Sequence, residues 1–551
     1  MPTPKIEKIT VYPARKIITM TQAMPTATAV AVAAGKIVSV GTLDSLKPWL
    51  DNYPYQINDS FQDKVLMPGL IDSHVHPSLP AVLLNFPFLA PDDWLLPTGK
   101  FPGATTPSAY VARLKELYAV HQDWSMPFIC WGYHQLWHGE QYRPQLDALF
   151  PEKAVILWHR SFHELICNSK ALEWFGLGET DVKAMPQTNW EKGHFWENGA
   201  QPLVVKLSPW LFEPERYARG IANFLAMTSQ SGTTTCLDMG IGIFGDAIGE
   251  TKLISQVAES TNALCRLILT PTTVDFLARG IKPEQALEQC EQWNQYNSNR
   301  VFFDRHFKLQ VDGAIFGGLS QYGFPGYIDR HQGMWMAPPE VIFEYAQTFW
   351  NAGYQLHAHI NGDLSADLLI DFVRRLQDSK PRFGHRTVLE HFAYSTEEQS
   401  KQIKELGMLV SGNPYYHYIL SDIFSSQWLG SDRGAQMTHF GSLEKLSLPF
   451  AFHSDCPMAP LSPLTLAWSA ANRLTINGNH NCLEERVTLD AALRAITIDA
   501  AWILRKENDI GSIRAGKLAD FAVLEADPYE VGITALKDIP VCGVVFEGQS
   551  K

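Results

Sequence analysis

Residues 69–77 read GLIDSHVHP, two histidines one residue apart straight after a run of aliphatics. Side chains on a β-strand alternate faces with period two, so His74 and His76 point the same way. Two neutral imidazoles on one face, at the end of an apolar strand, make half of a transition-metal site. The plain alternative is a pair of surface or capping histidines, and His-x-His alone leaves both readings open.

Working outward, short apolar stretches recur through the middle of the chain, with helical patterns between several of them. The candidate strands are KVLMPGLIDSHVH (64–76), TTTCLDMG (233–240), ALCRLILT (263–270), FKLQVDG (307–313), GYQLHAHI (353–360), TVLEHFA (387–393), GMLVSGNP (407–414) and PFAFHSD (449–455). LSADLLIDFVRRLQD (364–378) is a helical pattern after the fifth. This alternation predicts parallel βα units, and eight of them would close a (β/α)8 TIM barrel with its active site at the strand C-terminal ends. The stretch of about 85–230 is too long for one connection and is expected as a large insertion after the first barrel strand.

Both ends of the chain look different from the middle. KITVYPARKIITM (8–20) and ATAVAVAAGKIVSVGT (27–42) alternate apolar and polar residues about a turn at Ala34-Gly35, and GSIRAGKLADFAVLEADP (511–528) repeats the style. The expectation is an α/β chain with a small discontinuous β-sandwich domain from 1–65 and 505–551, and a barrel domain over 66–504.

The 551 residues are long enough for both parts. A formal charge of −13 argues against nucleic acid or an anionic membrane as partner, leaving a small-molecule substrate as the expected one. The eight cysteines are scattered without a Cys-x-x-Cys pair, which favours reduced thiols over a disulfide framework. Neither a signal-peptide h-region nor a run of about eighteen apolar residues occurs, so a cytoplasmic location is expected. Oligomeric state is not readable, and a homo-oligomer is compatible with the residues.

The polar residues of the candidate strands gather near their C-terminal ends. Lys308 lies inside an apolar strand, where an inward-pointing charge is costly. It is either a snorkelling or edge lysine, or one neutralised as a carbamate by carbon dioxide. His357 and His359 share a face, Glu390 and His391 close the next strand, and His453, Ser454 and Asp455 follow another. Each alone reads equally as a buried histidine bonded to a carbonyl or an Asp capping a helix. A barrel would carry all of these strand ends onto one rim.

PGLIDSHVHP, FKLQVDGA, LHAHINGD, VLEH, HSD and the closing ALRAITIDAAWIL and GSIRAGKLADFAVLEADP together resemble the amidohydrolase superfamily, and more narrowly its N-substituted formamide deformylase-like branch. The likeness covers nearly the whole chain. It implies two divalent metal ions, with zinc favoured by imidazole-rich ligation. By that resemblance His74, His76 and Asp455 hold one ion, His359 and His391 hold the other, and a carbamate on Lys308 bridges them. RSFHELICNSKAL (160–172) and GHFWE (193–197) also resemble family segments, which makes His163 and Glu197 substrate-facing candidates.

The implied reaction is hydrolysis of an amide-type C–N bond other than a peptide bond by a metal-bound hydroxide. Asp455 would shuttle the proton, and His163 would steady the oxyanion. A mononuclear deaminase of an amino-heterocycle, a binuclear esterase or lactonase, and a retired barrel scaffold are the alternatives. The chain departs from the family pattern at HINGD, at AIFGGLS (314–320), and at His453, where a glycine or other small residue is usual. These departures bear on substrate choice.

Overall fold

The computed structural model describes residues 8–550, a mixed α/β chain in two compact units. The first unit holds the residues up to His76, Leu225–Asp312, and those from Ser320 on; the second holds Pro77–Phe224 and Gly313–Leu319.

Strands from both ends of the chain lie side by side in one eight-stranded sheet of the first unit. Val65–Pro68 pairs antiparallel with Phe521–Leu524 and parallel with Ile9–Ile18, which in turn pairs with Thr26–Ala33. Alternate residues of these strands, among them Tyr12, Ile17, Val30, Leu66, Phe521 and Val523, form one buried cluster. Thr26–Ala33 and Lys36–Gly41 make a hairpin. Its turn residues Ala34 and Gly35 have φ of 50° and 73°. Positive φ at both central positions matches the right-handed twist of the flanking strands.

The candidate strand KVLMPGLIDSHVH is two strands. Val65–Pro68 belongs to the terminal sheet, and Leu70–Val75 lies in a four-stranded parallel sheet with Thr233–Ile241, Arg266–Pro271 and Val301–Phe303. Gly69 is the crossing point. A Cβ there would stand 2.1 Å from Thr234 Oγ1, so only glycine lets the chain pass.

A second parallel sheet runs His306–Gln310, Gln355–Ile360, Val388–His391, Leu409–Gly412 and Phe450–Phe452. Two isolated parallel bridges, Thr272 with Lys308 and Val75 with Cys456, lie between the two sheets, just past the Arg266–Pro271 and Phe450–Phe452 strands. Nearly every residue of these strands is buried, as expected of parallel strands covered on both faces. Helices Pro339–Asn351, Asp363–Ser379 and Glu397–Glu405 connect strands of the second sheet. Thr396 caps the last of these through a capping box with Gln399.

In the second unit a mixed five-stranded sheet runs Thr188–Asn189, His194–Trp196, Glu164–Cys167, Val155–His159 and Phe128–Tyr133. Arg160 is buried there with its guanidinium 5.2–5.3 Å from the ring centroids of Trp94, Trp131 and Phe316. Among the described residues, no helix is long and apolar enough to cross a membrane.

Gly69→Ala should cost about 1–3 kcal/mol through overpacking at the crossing, read as a lower denaturation midpoint. Thr234→Ala should recover only part of it, because the Thr234 Cβ itself lies 2.9 Å from the added carbon.

Candidate metal centre

His74 sits near the end of the Leu70–Val75 strand and His76 just past it. Alternation sends both rings to one side, and their Nε2 atoms are 3.3 Å apart. Asp455, just beyond the Phe450–Phe452 strand, brings Oδ1 to 3.4 Å from His74 Nε2 and 3.2 Å from His76 Nε2. Its amide donates to the His74 carbonyl at 3.0 Å, tying the two strand ends together. Ligands about 2.0–2.1 Å from a zinc ion in a tetrahedron stand about 3.3 Å from one another. These three atoms therefore occupy three corners of a tetrahedral site, and the donor set of two imidazoles and a carboxylate fits a divalent ion.

A second group adjoins the first. His391 Nδ1 lies 3.3 Å from His453 Nε2 and 3.7 Å from Asp455 Oδ2. The ligand atoms of His74, His391 and His453 all fall within 4.8 Å of one another. The Tyr416 hydroxyl donates to Asp455 Oδ2 at 3.3 Å and is 3.4 Å from His391 Nδ1. His391 and Asp455 have φ of 75° and 53°. Non-glycine residues adopt that left-handed backbone at a cost, and such strain gathers at functional sites.

His359 stands beside this second group, its ring centroid 4.3 Å from that of His391 and its Nε2 2.7 Å from Asn361 Nδ2. The turn after it is held by Asp312, whose carboxylate accepts from the amides of Asn361 and Gly362, both at 3.0 Å, and from Ser365 Oγ at 2.9 Å. Lys308 is paired in register with His357. Its Nζ is buried with no hydrogen-bond partner among the described residues. Burial lowers its pKa to about 8, against the pull of Glu390 and Asp455. A buried amine without a partner suits conversion to an anionic carbamate.

Glu390 organises the rings from behind. Its Oε2 takes His74 Nδ1 at 2.9 Å and its Oε1 takes His357 Nδ1 at 2.7 Å. Burial works against its charge, but hydrogen bonds with His357, His453 and His74 outweigh it and hold the carboxyl well below the usual range. Burial together with neighbouring positive groups pushes His74 and His391 well below the ordinary imidazole pKa. Both are neutral at pH 7, the form that binds metals.

The sequence-derived residues thus divide. His74, His76, His391 and Asp455 converge, with Lys308 and His359 alongside; His453, expected as a departure, has joined them. Tyr416 was not anticipated; its signal is its position just past a parallel strand, where barrel enzymes place functional groups. Glu390 was visible only as the neighbour of His391. In the second unit, His163 Nδ1 bonds Glu197 Oε2 at 2.9 Å, and the Glu197 amide donates to the His163 carbonyl at 2.9 Å.

Comparison with known proteins places the chain in a family. The sequence profile of the amidohydrolase family matches residues 62–550. The protein LONG AFTER FAR-RED 3 of Arabidopsis thaliana is 25% identical over 537 residues, covering 93% of this chain and 86% of that protein. N-substituted formamide deformylase of Arthrobacter pascens is 24% identical over 553 residues, covering 95% and 94%. Among solved structures, an uncharacterized metal-dependent hydrolase from Pyrococcus horikoshii OT3 superposes with a TM-score of 0.70 at 18% identity, covering 94% of this chain and 98% of that one. Atrazine chlorohydrolase TrzN from Arthrobacter aurescens TC1, complexed with zinc, gives 0.55 at 14% identity, covering 98% and 94%. At these identities the structural likeness speaks for the fold.

Two outcomes follow from the electrostatics. The Lys308 pKa is lower in the folded chain than its unfolded value of about 10.4, so stability rises with pH between about 8 and 10.4 and the buried charge is a penalty below that window. Lys308→Met should therefore stabilise the metal-free protein at pH 7 by on the order of 3 kcal/mol, with the gain falling from about pH 8 and gone above about pH 10.4; calorimetry at pH 7 and pH 10.5 reads it. Glu390→Gln should weaken zinc binding by about 10–100-fold, and an unchanged zinc affinity in a chelator competition would show that Glu390 does not present His74.

Proposed function

The chain belongs to the amidohydrolase family, and on that footing we propose that it is a metal-dependent hydrolase that cleaves an amide-type C–N bond in a small molecule. The observation that carries this reading is the tetrahedral spacing of His74 Nε2, His76 Nε2 and Asp455 Oδ1 at 3.2–3.4 Å. In the same proposal the strands of the two parallel sheets are the arcs of one (β/α)8 barrel, with Val301–Phe303 and His306–Gln310, both beside the Arg266–Pro271 stretch, sharing one of the eight positions. The bridges Thr272–Lys308 and Val75–Cys456 support that closure. The first ion, zinc by preference for imidazole, is assigned to His74, His76 and Asp455. His391 and His359 would hold a second, with a carbamate on Lys308 as a further oxygen donor.

A divalent ion there supplies water acidified to a pKa near 7 and a polarised carbonyl. The chain's own part centres on Asp455. With Oδ1 turned to the histidine pair, Oδ2 is the oxygen that accepts the proton of the attacking water, and the Tyr416 hydroxyl steadies it. Asp455 then returns that proton to the leaving nitrogen as the C–N bond breaks, so one water yields an acid and an amine. The Tyr416 hydroxyl keeps Oδ2 aimed while its charge changes. His163 and Glu197 are assigned to substrate binding on the family resemblance. The scattered free cysteines suit a reducing cytoplasm.

Protein reconstituted with zinc and bicarbonate should release amine from a panel of N-formyl and other N-acyl amines, and a chelator should abolish the release. Ammonia from amino-heterocycles, or turnover confined to esters and lactones, would replace the amide reading. Asp455→Asn should lower kcat about 10²–10⁴-fold. Full turnover in that variant, with metal still bound, would remove the proton-shuttle role.

A further inference from the structure

His453 is held by the same carboxylate that presents His74. Glu390 Oε2 takes His74 Nδ1 at 2.9 Å and stands 3.4 Å from His453 Nδ1. Ser411 Oγ approaches His453 Nδ1 from 2.9 Å and is itself 2.9 Å from Ser73 Oγ. An ionised carboxylate only accepts, so the arrangement favours the Nδ1–H tautomer in both rings and leaves each Nε2 with a bare lone pair. This is the support that metal-ligating histidines regularly receive.

The bare nitrogen of His453 points into the centre. Its Nε2 is 3.3 Å from His391 Nδ1, the edge of a tetrahedron about one ion. The ring is fully buried, and its ligand atom lies within 4.8 Å of those of His391 and His74. Lone pairs of neutral imidazoles brought this close repel unless a proton or a cation lies between them.

We propose that His453, through Nε2, is a direct ligand of the ion that His391 helps to hold. This rests on the metal-centre reading above and changes the chemistry of its second position. A third imidazole there adds a neutral nitrogen donor where a glycine or other small residue is usual in the family that the sequence resembles. It shifts the preference of that position toward zinc, cobalt, nickel or copper and away from manganese or magnesium. It also lessens the dependence of the second ion on the Lys308 carbamate.

The test is equilibrium dialysis of the full-length protein against buffered cobalt or zinc, with metal per chain from elemental analysis and the visible spectrum of the cobalt form. The wild type should take two ions. His453→Gly and His453→Gln should bind the second at least about tenfold more weakly, keep the first unchanged, and alter the cobalt spectrum. Millimolar imidazole, entering the space vacated in the glycine variant, should restore the second ion. Two ions at unchanged affinity with an unchanged spectrum in both variants would overturn the assignment while leaving the two-ion centre standing. A wild type that takes a single ion would instead bring down the two-ion centre and the His453 assignment with it. Should neither variant fold, cobalt-loaded wild type labelled with ¹⁵N-histidine decides. A contact-shifted ring beyond those of His74, His76, His359 and His391 supports the assignment, and its absence overturns it.

Discussion

The centre depends on one buried carboxylate. Glu390 lies fully out of solvent and accepts from His74 at 2.9 Å and His357 at 2.7 Å, with His453 at 3.4 Å. An isolated charge in that position would be expensive, and imidazole N–H groups are what make it tenable. The arrangement is reciprocal. The rings keep Glu390 ionised, and Glu390 decides which nitrogen of each ring carries the proton and which faces the centre. His306 extends the network, its Nδ1 3.0 Å from His357 Nε2, so the strand Gln355–Ile360 is anchored on both sides.

Around that carboxylate, strand ends carry the reactive groups and backbone ties set their spacing. The Asp455 amide reaches the His74 carbonyl at 3.0 Å, and Ser454 hands its hydroxyl to Asp72 Oδ2 at 2.5 Å. Residues far apart in sequence are thereby locked to within a few tenths of an ångström of metal-ligand spacing. The left-handed backbone at His391 and Asp455 is a cost that the rest of the sheet absorbs. Gly69 does a different job at the other end of the first parallel strand, where the chain passes from the terminal sheet so close to Thr234 that no side chain fits.

Much of this was legible in the residues. Period two placed His74 with His76 and His357 with His359, and apolar strands punctuated by helical patterns pointed to parallel βα units. The hairpin at Ala34-Gly35 and the strand-like character of both chain ends could be read from alternation and glycine punctuation. The split of KVLMPGLIDSHVH between two sheets could not, because both halves are equally apolar and the break is enforced by Thr234, a residue far along the chain. Tyr416 was hidden for a similar reason: its helix, Tyr415–Ile423, carries several aromatics, and only packing singles out the one that reaches Asp455.

By itself the sequence determined the periodicities, the strand-end chemistry and the residue types of a divalent-metal site, because these follow from local geometry and donor chemistry. Tertiary structure decided which donors meet. Glu390 became the hub of three histidines and His453 turned its Nε2 toward His391 because the Val388–His391 and Phe450–Phe452 strands stand on either side of Leu409–Gly412 in one sheet, which sets those distances. Period two says which way a side chain points. What stands opposite is fixed by the register of neighbouring strands, and register is a property of the folded sheet.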